Sequence, residues 1–294
     1  MRIREEIGSA AIVQILNASR FESDYDIIAE TRSSMNQMLT IAVGNQTLFL
    51  KCSSARGAKK MLRAEFEGLS ALKEAGVEVP GHVHYGVTED WSWLLMEFIS
   101  NVSPDKKKEE EGGRQLALLH RTTSDQFGWE TDNYIASLKQ SNTLSENWWR
   151  FYCDERLLVQ LEMTIDKLPL LMRKQLERII LQGVNVFPDE KPALCHGDLW
   201  SGNRLYTQEE KAYLIDPAIY FGHREMDLGM TKLFGGFGDD YYRSYEMSYP
   251  LEQGWEKRVS ITTLYPLLVH VNLFGASYLS LLQEAIQLTE IEVL

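Results

Sequence analysis

The sequence CHGDLWSGN (195–203) and the later sequence YLIDP (213–217) decide the fold of this 294-residue chain. They place Asp198, an asparagine five positions later at Asn203, and a second aspartate at Asp216. A loop can aim Asp198 and Asn203 at one point, and a short hairpin can return Asp216 beside them. Two turns rich in Asx hydrogen bonds are the alternative interpretation. We favour a shared site because all three polar residues fall in register.

Phosphoryl transfer needs this set of groups. It asks little covalent chemistry of a protein, but a carboxylate must orient the attacking hydroxyl and accept its proton, and oxygen ligands must hold the Mg²⁺ ions that bridge the nucleotide phosphates. Asp198 suits the first task, and Asn203 with Asp216 suit the second. Protein kinases use the same Asp-x-x-x-x-Asn spacing with a metal-binding aspartate on the next hairpin. The motif therefore predicts a phosphotransferase that uses ATP and Mg²⁺.

A lysine and a glutamate that could hold the nucleotide phosphates lie earlier in the chain. Lys51 ends the apolar run TLFLK (47–51), where a lysine at a strand end can reach phosphates. Glu65 lies in the segment 58–75, whose apolar residues recur at three- and four-residue intervals and predict an amphipathic helix. We expect a salt bridge from Glu65 to position Lys51.

Backbone contacts to adenine are predicted at Met96, Glu97 and Phe98. These residues lie near the end of the apolar strand WSWLLMEFI (91–99), just before the clearest composition change in the chain, NVSPDKKKEEEGG (101–113). That segment combines a proline, a run of charges and two glycines, which is typical of a domain boundary. A linker here would present backbone N–H and C=O groups to the base.

The residues on the two sides of this boundary differ in pattern. Before it, short alternating runs include a β-hairpin around Gly44-Asn45, together with one amphipathic helix. After it, helical spacing dominates and short strands occur near the catalytic motif. We predict an α+β fold with a small β-rich N-terminal lobe (1–100), which covers the nucleotide, and a larger, mainly helical C-terminal lobe (101–294).

Composition and charge exclude several classes of protein. The chain has 30 Lys and Arg against 42 Asp and Glu, a net charge of −12, which disfavours nucleic acid and anionic membranes as partners. No run reaches the roughly 18 to 20 apolar residues of a membrane span, and the N-terminal stretch is unlike a signal peptide. We expect a cytoplasmic protein whose three cysteines stay reduced.

Four blocks of the chain carry a family resemblance. They are HGDLWSGN (196–203), LIDPAIYFGHREMDLGMTKLFGGF (214–237), FGWETDNYIASLKQSN (127–142) and LVHVNLFGASYL (268–279). Together they resemble the fructosamine/ketosamine-3-kinase family of the protein-kinase-like superfamily, close to the aminoglycoside phosphotransferases. The tryptophan in the catalytic loop and the FGGF sequence distinguish this family from other small-molecule kinases. The resemblance implies a two-lobed, protein-kinase-like fold.

The resemblance also implies an activity and a set of roles. The family phosphorylates O3 of a ketosamine, such as a fructosamine or ribulosamine, with ATP, and the unstable 3-phosphate then falls apart and frees the amine (deglycation). Asp198 resembles the catalytic base. Asn203 and Asp216 resemble the magnesium ligands, and Lys51 with Glu65 resemble the phosphate-holding pair. The substrate would be a free ketosamine or a glycated protein lysine, and the enzyme a monomer or a homodimer.

Three more residues are assigned by the resemblance. Trp200 would pack its indole face against the sugar while its N–H donates, unless it is a core aromatic. Asp227 would brace the catalytic-loop backbone from beneath, or would cap a helix that begins at Leu228. His196 resembles a loop histidine that supports the metal-binding segment as scaffold.

The turn of the first hairpin departs from the family pattern. Family members usually have a glycine in this turn, so that backbone N–H groups cover the phosphates, whereas the stretch TRSSMNQ (31–37) has none. Ser33, Ser34 and Asn36 would supply small polar contacts instead, although close backbone approach is harder without glycine. Ser34 is therefore counted among the nucleotide-binding residues.

Two alternative functions stay open on the sequence alone. One is a kinase for another small alcohol, such as an aminoglycoside-like or choline-like substrate. The other is a nucleotide-binding module without catalysis, which the glycine-free turn weakly favours and the full set of acidic residues opposes. A protein Ser/Thr kinase fits less well, because Asp216 is followed by Pro-Ala and no A-P-E segment follows.

Overall fold

The computed structural model describes residues 6–33, 35–183 and 186–293. The chain divides into two compact units: unit 1 is Met1–Ser103 with Leu205–Asp216, and unit 2 is Pro104–Arg204 with Pro217–Leu294. The segment Leu205–Asp216 therefore groups with the N-terminal residues, whereas the predicted lobes, 1–100 and 101–294, divide the chain at a single point.

Hydrogen bonds explain why this segment belongs to unit 1. The Tyr206 N–H donates to the Asn101 side chain (2.9 Å), and the Val102 N–H donates to the Tyr206 carbonyl (2.9 Å). The Leu214 N–H donates to the Glu78 carbonyl (3.0 Å). Such pairing over more than a hundred residues leaves no local pattern in a sequence.

Unit 1 is built on one antiparallel sheet. Its strands are β1 (Asp26–Arg32), β2 (Gln37–Val43), β3 (Gln46–Ser53), β4 (His84–Val87) and β5 (Ser92–Glu97), and its helices are α1 (Ser9–Ala18) and α2 (Ala58–Glu74). The strand order is β1-β2-β3-β5-β4. The predicted hairpin is confirmed: Val43 pairs with Gln46, and Gly44 adopts φ +57° in the turn.

The turn between β1 and β2 is organised by Ser33. Its hydroxyl accepts the N–H groups of Met35 (3.2 Å) and Asn36 (2.9 Å), and its own N–H donates to the Asn36 carbonyl (2.9 Å). A serine hydroxyl thus closes the turn where the family usually has glycine. Ser34, predicted to contact nucleotide, lies outside the described residues.

Unit 2 is mainly helical. Its helices are α3 (Lys106–His120), α4 (Trp148–Tyr152), α5 (Leu158–Met163), α6 (Leu170–Gln182), α7 (Glu225–Phe234), α8 (Asp239–Ser248), α9 (Trp255–Phe274) and α10 (Leu279–Glu292). Its short strands are β6 (Asn133–Ile135), β7 (Leu138–Gln140), β8 (Ala193–Cys195) and β11 (Tyr220–Gly222), and the pair β9 (Arg204–Tyr206) and β10 (Ala212–Leu214) leads from it into unit 1. A π-helical turn, Cys153–Leu157, joins α4 to α5.

The core of unit 2 is centred on α9. Residues from Ser260 to Val269 on this helix are all buried, although Pro266 lies within it. The stretch Trp255–Glu292 is long and apolar enough to cross a membrane by composition, but 61% of its most apolar window is buried inside the protein. That burial is the pattern of a core helix.

Candidate active site

Lys51 binds two carboxylates within unit 1. Its Nζ lies 2.7 Å from Oε2 of Glu65 on α2 and 2.8 Å from Oδ1 of Asp216. The side chains of Lys51 and Glu65 are each 12% exposed, whereas that of Asp216 is 47% exposed. The expected ion pair of Lys51 and Glu65 is formed, and the β9–β10 hairpin returns Asp216 to it.

Burial and charge act in opposite directions on this trio. Burial disfavours the ammonium, but the carboxylates of Asp216 and Glu65 outweigh it and raise the pKa of Lys51, which therefore stays charged. Burial raises the pKa of Glu65; the Lys51 ammonium opposes this rise and the Asp216 carboxylate adds to it. Oε1 of Glu65 is buried and has no hydrogen-bond partner among the described residues. The trio is thus one lysine shared by a buried and a solvent-facing carboxylate.

Asp216 itself has an unusual backbone conformation. Its φ is +52°, in the left-handed region, where aspartate is one of the few residues other than glycine that is tolerated. This conformation is held at a residue that the sequence assigns to metal binding. Backbone strain of this kind concentrates at functional sites.

Asp198 and Asn203 meet in the loop that follows β8. The Nδ2 of Asn203 donates to the backbone carbonyl of Asp198 (2.8 Å) and to its Oδ2 (3.1 Å). A 3₁₀ turn, Ser201–Asn203, brings the two side chains together. Because both donations use the amide nitrogen, the Asn203 amide oxygen points away from the Asp198 carboxylate.

Trp200 lies on the surface of this loop. It is 42% exposed, so the interpretation as a core aromatic is wrong. Its ring packs so closely on Gly202 that a Cβ there would collide with it. An exposed indole with one face against the loop backbone leaves its remaining surface available to a sugar.

Asp227 binds the backbone of the catalytic loop. Its carboxylate accepts the N–H groups of His196 (2.7 Å) and Gly197 (2.9 Å), and it lies 3.1 Å from Nε2 of His120. His196 is fully buried, and its Nδ1 is 3.3 Å from the Asp198 N–H, which donates to it. Both residues therefore occupy scaffold positions under the loop.

The alternative role of Asp227 as a helix cap is not found. Helix α7 begins at Glu225 and not at Leu228, and Arg224 occupies the N-cap position without a side-chain cap. Asp227 lies inside the first turn, so its carboxylate is directed to the loop. The apolar spacing begins at Leu228, but the polar residues before it already continue the helix.

Replacing Asp227 with asparagine is expected to lower the free energy of unfolding by about 2 to 4 kcal/mol, because a buried carboxylate that accepts several bonds becomes an amide with one acceptor. Urea unfolding measures the loss. Asp154→Asn, which removes an exposed carboxylate next to Arg150, serves as control and should change stability by less than about 1 kcal/mol.

The same variant gives an expected pH dependence. Burial alone would raise the pKa of Asp227. The hydrogen bond and the charge of His120 oppose this, as do the charge of His196 and the bond from the Gly197 N–H, and together they hold the pKa of Asp227 below the usual range. The contribution of Asp227 to the free energy of unfolding is therefore full above its pKa in the unfolded chain, about 3.9, and is lost as the pH falls through its pKa in the folded protein. The stability difference between wild type and Asp227→Asn should shrink below about pH 4; a constant difference would contradict this account.

The backbone at the predicted adenine contact is partly occupied. The N–H groups of Glu97 and Phe98 donate to the carbonyls of Gly81 (2.8 Å) and Thr47 (3.0 Å). These two N–H groups are therefore not available to adenine, because the end of β5 uses them. Buried Met96 lies on the same strand, and the predicted contact now depends on the carbonyl groups of the segment.

Arg204 was not identified from the sequence. It is buried next to Asn203, pairs with Glu109 on α3 (3.3 Å) and donates to the Gly236 carbonyl (3.0 Å). Its guanidinium lies 4.1 Å from the centre of the Phe237 ring. It thus ties the end of the catalytic loop to the FGGF segment. The available signal was an arginine inside the short strand RLY (204–206), where a buried charge needs partners.

One buried trio has the spacing of a metal site but a different role. His120, Cys195 and Asp227 place their ligand atoms within 4.8 Å of one another. However, His120 already bonds Asp227 and Tyr245 (2.8 Å), and burial raises the pKa of the Cys195 thiol far above its usual range. A protonated thiol is a poor metal ligand, so we interpret the trio as scaffold.

Known proteins that match the sequence agree on one family. The sequence profile described as fructosamine kinase matches residues 11–291. A probable ketoamine kinase of Enterococcus faecium is 36% identical over 259 residues, which cover 86% of this chain and 91% of that protein. A chloroplastic protein-ribulosamine 3-kinase of Arabidopsis thaliana is 36% identical over 241 residues, which cover 80% of this chain and 73% of that protein.

Solved structures agree with the predicted fold. The crystal structure of a candidate fructosamine-3-kinase from Thermobifida fusca matches with a TM-score of 0.89 and 31% identity, covering 97% of this chain and 100% of that chain. An aminoglycoside phosphotransferase matches with a TM-score of 0.60 and 13% identity over 95% of this chain and 99% of that one, a likeness of fold alone. The α+β, protein-kinase-like fold predicted from the sequence is confirmed.

Proposed function

Since the chain belongs to the fructosamine kinase family, and is thus a phosphotransferase with an alcohol acceptor, we propose that it transfers the γ-phosphoryl group of ATP to O3 of a ketosamine. The observation that supports this most directly is the loop in which Asn203 holds the carbonyl and the carboxylate of Asp198. That arrangement fixes one carboxylate oxygen and presents the group as a base for a hydroxyl.

Asp198 acts as the base in this proposal. Its carboxylate orients the O3 hydroxyl and accepts its proton as the oxygen attacks phosphorus. The bonds from Asp227 to the loop backbone, and from the Asp198 N–H to His196, keep the carboxylate in place. Trp200 lies two positions after Asp198 in the same loop and is an exposed platform for the sugar.

Mg²⁺ fits the donor set that the chain offers. Asp216 supplies a half-exposed carboxylate and Asn203 an amide oxygen turned away from Asp198, and oxygen ligands of this kind are what Mg²⁺ prefers. The ion would supply positive charge that neutralises the charge of the nucleotide phosphates. The residues that would hold it are Asn203 and Asp216.

Lys51 and Glu65 are assigned to the nucleotide. Lys51 keeps its charge between Glu65 and Asp216, so it can bind α- and β-phosphate oxygens, and Glu65 fixes its position. Ser34 and the carbonyl groups near Met96, Glu97 and Phe98 stay predicted nucleotide contacts. The division of labour between a nucleotide lobe, 1–100, and a catalytic lobe, 101–294, is part of the proposal.

The acceptor is proposed to be a ketosamine, either a free metabolite or a glycated protein lysine, because relatives are named ketoamine kinase and protein-ribulosamine 3-kinase. The sugar 3-phosphate of such an adduct breaks down and releases the amine, which makes the reaction a deglycation. A cytoplasmic location belongs to the same proposal, since the reaction needs ATP.

ADP release with a panel of ketosamines tests the proposal. The purified chain, ATP and Mg²⁺ are incubated with fructosyl-, ribulosyl- and erythrulosyl-lysine, and each is compared with lysine plus the unreacted sugar at equal concentration. We expect turnover only with the adducts. Turnover with lysine and sugar unreacted would contradict recognition of the ketosamine.

The same assay separates the alternatives. ATP binding without turnover on any adduct would replace the ketosamine with another small alcohol as acceptor. Absence of ATP binding as well would favour a module without catalysis, the function that the glycine-free turn weakly supports. Isothermal titration with a non-hydrolysable ATP analogue and Mg²⁺ supplies the binding measurement.

A further inference from the structure

The hairpin of β6 and β7 lies within the block 127–142, none of whose residues has a role in the proposed function. Asn133 and Gln140 face each other in its register and are 5% and 2% exposed. Burying a carboxamide is unfavourable unless its polar atoms are bonded. The partners of these two amides therefore indicate what the hairpin holds.

Both amides bind the backbone of one short segment. Nδ2 of Asn133 donates to the Ile219 carbonyl (2.7 Å), and Nε2 of Gln140 donates to the Ala218 carbonyl (3.0 Å) and to Oδ1 of Asn133 (2.8 Å). The Tyr265 hydroxyl donates to Oε1 of Gln140 (2.8 Å). Two adjacent buried carbonyls thus receive side-chain amides.

These bonds permit only one orientation of the Gln140 amide. The reversed amide would place its oxygen against the oxygens of Asn133 and Ala218 and its nitrogen against the Tyr265 hydroxyl. Burial raises the pKa of Tyr265 to about 12, so this hydroxyl keeps its proton and donates it. The network is therefore ordered from α9 through the hairpin to the segment 218–219.

The segment that the hairpin holds packs on the catalytic loop. The Ala218 N–H donates to the His196 carbonyl (2.9 Å). A Cβ on Gly197, which has φ +81°, would collide with the Ala218 carbonyl oxygen. A displacement of the Ala218 peptide must therefore move the two residues that precede Asp198.

We propose that Gln140, with Asn133, is a positioning residue for Asp198: it fixes the Ala218 peptide, which in turn fixes the backbone of His196 and Gly197. The proposal rests on the proposed function in so far as Asp198 is the base. A shift of about 1 Å in a reacting group can lower the rate about 10²-fold. Lys51 and Glu65 are not among the residues whose hydrogen bonds form this network, so the KM for ATP should change little.

Gln140→Leu tests this role against a merely structural one. We expect kcat to fall at least about tenfold while the KM for ATP changes less than about twofold. Gln160→Leu is the matched control, because Gln160 is 1% exposed, lies in unit 2 and accepts a hydrogen bond from Asn272 (2.7 Å), and none of its described hydrogen bonds reaches the catalytic loop. Thermal unfolding measures the stability loss of both variants.

In these assays the proposal is overturned by a kcat of Gln140→Leu within about threefold of wild type, or by an equal fall of kcat in Gln160→Leu at equal loss of stability. If Gln140→Leu does not fold, Tyr265→Phe replaces it, since it removes only the hydroxyl that orients the amide. An unchanged kcat in Tyr265→Phe would then overturn the proposal. The double variant Asn133→Ala with Tyr265→Phe should lose less kcat, on a logarithmic scale, than the sum of the losses in the two single variants, as expected of one network.

Hydrogen exchange separates this proposal from the proposed function. Amides of 196–203 should exchange faster in Gln140→Leu than in Gln160→Leu, whether or not the acceptor is a ketosamine. Faster exchange in Gln140→Leu with no turnover by wild type would overturn the proposed function but support the positioning role of Gln140. Unchanged exchange in Gln140→Leu with normal wild-type turnover would overturn only the positioning role of Gln140.

Discussion

Replacing Asp198 with asparagine is expected to lower kcat for ketosamine phosphorylation about 10³-fold and to leave the KM for ATP within about twofold. The amide cannot accept the proton of the attacking hydroxyl, so the chemical step loses its base. Asparagine still offers an oxygen to Nδ2 of Asn203, which bonds both the carbonyl and the carboxylate of residue 198 in the wild type. The loop should therefore keep its conformation.

The control for this variant is Asp125→Asn, because Asp125 is an exposed aspartate of the same unit. Its kcat should stay within about twofold of wild type. Thermal unfolding of Asp198→Asn should be unchanged within about 1 kcal/mol, which separates a lost base from a lost fold. A kcat that falls less than about tenfold would mean that Asp198 orients the hydroxyl but is not its base.

Residues close in sequence account for what could be predicted of the site. The five-residue spacing of Asp198 and Asn203 fits one loop, and Lys51 followed by a helix with Glu65 fits one ion pair. The predicted strand end at Lys51 is wrong, because β3 continues to Ser53. Both contacts are present. Such motifs are readable because local geometry alone nearly determines where the side chains meet.

Residues that act through long-range backbone contacts could not be predicted. Gln140 and Asn133 lie in three-residue strands, too short for a periodicity, and their partners lie about 80 residues later. A buried amide bound to a carbonyl looks in sequence like a polar surface residue. Arg204 could not be predicted for the same reason, since its burial is explained by distant partners, among them Glu109 and Gly236.

Helix ends depend on tertiary context in a similar way. The apolar spacing placed the start of α7 at Leu228, but the helix begins at Glu225. Arg258 donates to Glu225 (2.6 Å and 2.8 Å), and this buried pair stabilises the first turn. A sequence shows the charges of Glu225 and Arg258 but not that they meet.

Replacing Lys51 with methionine is expected to lower kcat about 10²-fold and to raise the KM for ATP, because the charge that binds the phosphates is lost. It should also lower the free energy of unfolding by about 3 kcal/mol, since the 12% exposed Glu65 carboxylate loses its cation. Lys211→Met is the control: it removes a half-exposed partner of Glu78 in unit 1 and should cost less than about 1 kcal/mol.

The stability of Lys51→Met should depend on pH with a definite sign. Without the ammonium, burial and Asp216 raise the pKa of Glu65 without opposition, so the folded state binds a proton more tightly than the unfolded chain. The stabilisation from the proton on Glu65 is full below the pKa of this group in the unfolded chain, about 4.3, and is lost as the pH rises through its pKa in the folded protein. Because burial already raises the pKa of Glu65 to about 8 in the wild type, the deficit relative to wild type should grow as the pH rises above about 8.

Adding Glu65→Gln to Lys51→Met separates folding from catalysis. The neutral amide removes the uncompensated carboxylate, so the double variant should regain most of the lost stability and lose the growth of the deficit with pH. Its kcat should stay about 10²-fold low, because no cation faces the phosphates. Recovery of kcat together with stability would show that Lys51 serves the fold and not the nucleotide. Low stability in both variants at every pH would instead assign the cost to packing of the methionine and not to the charge of Glu65.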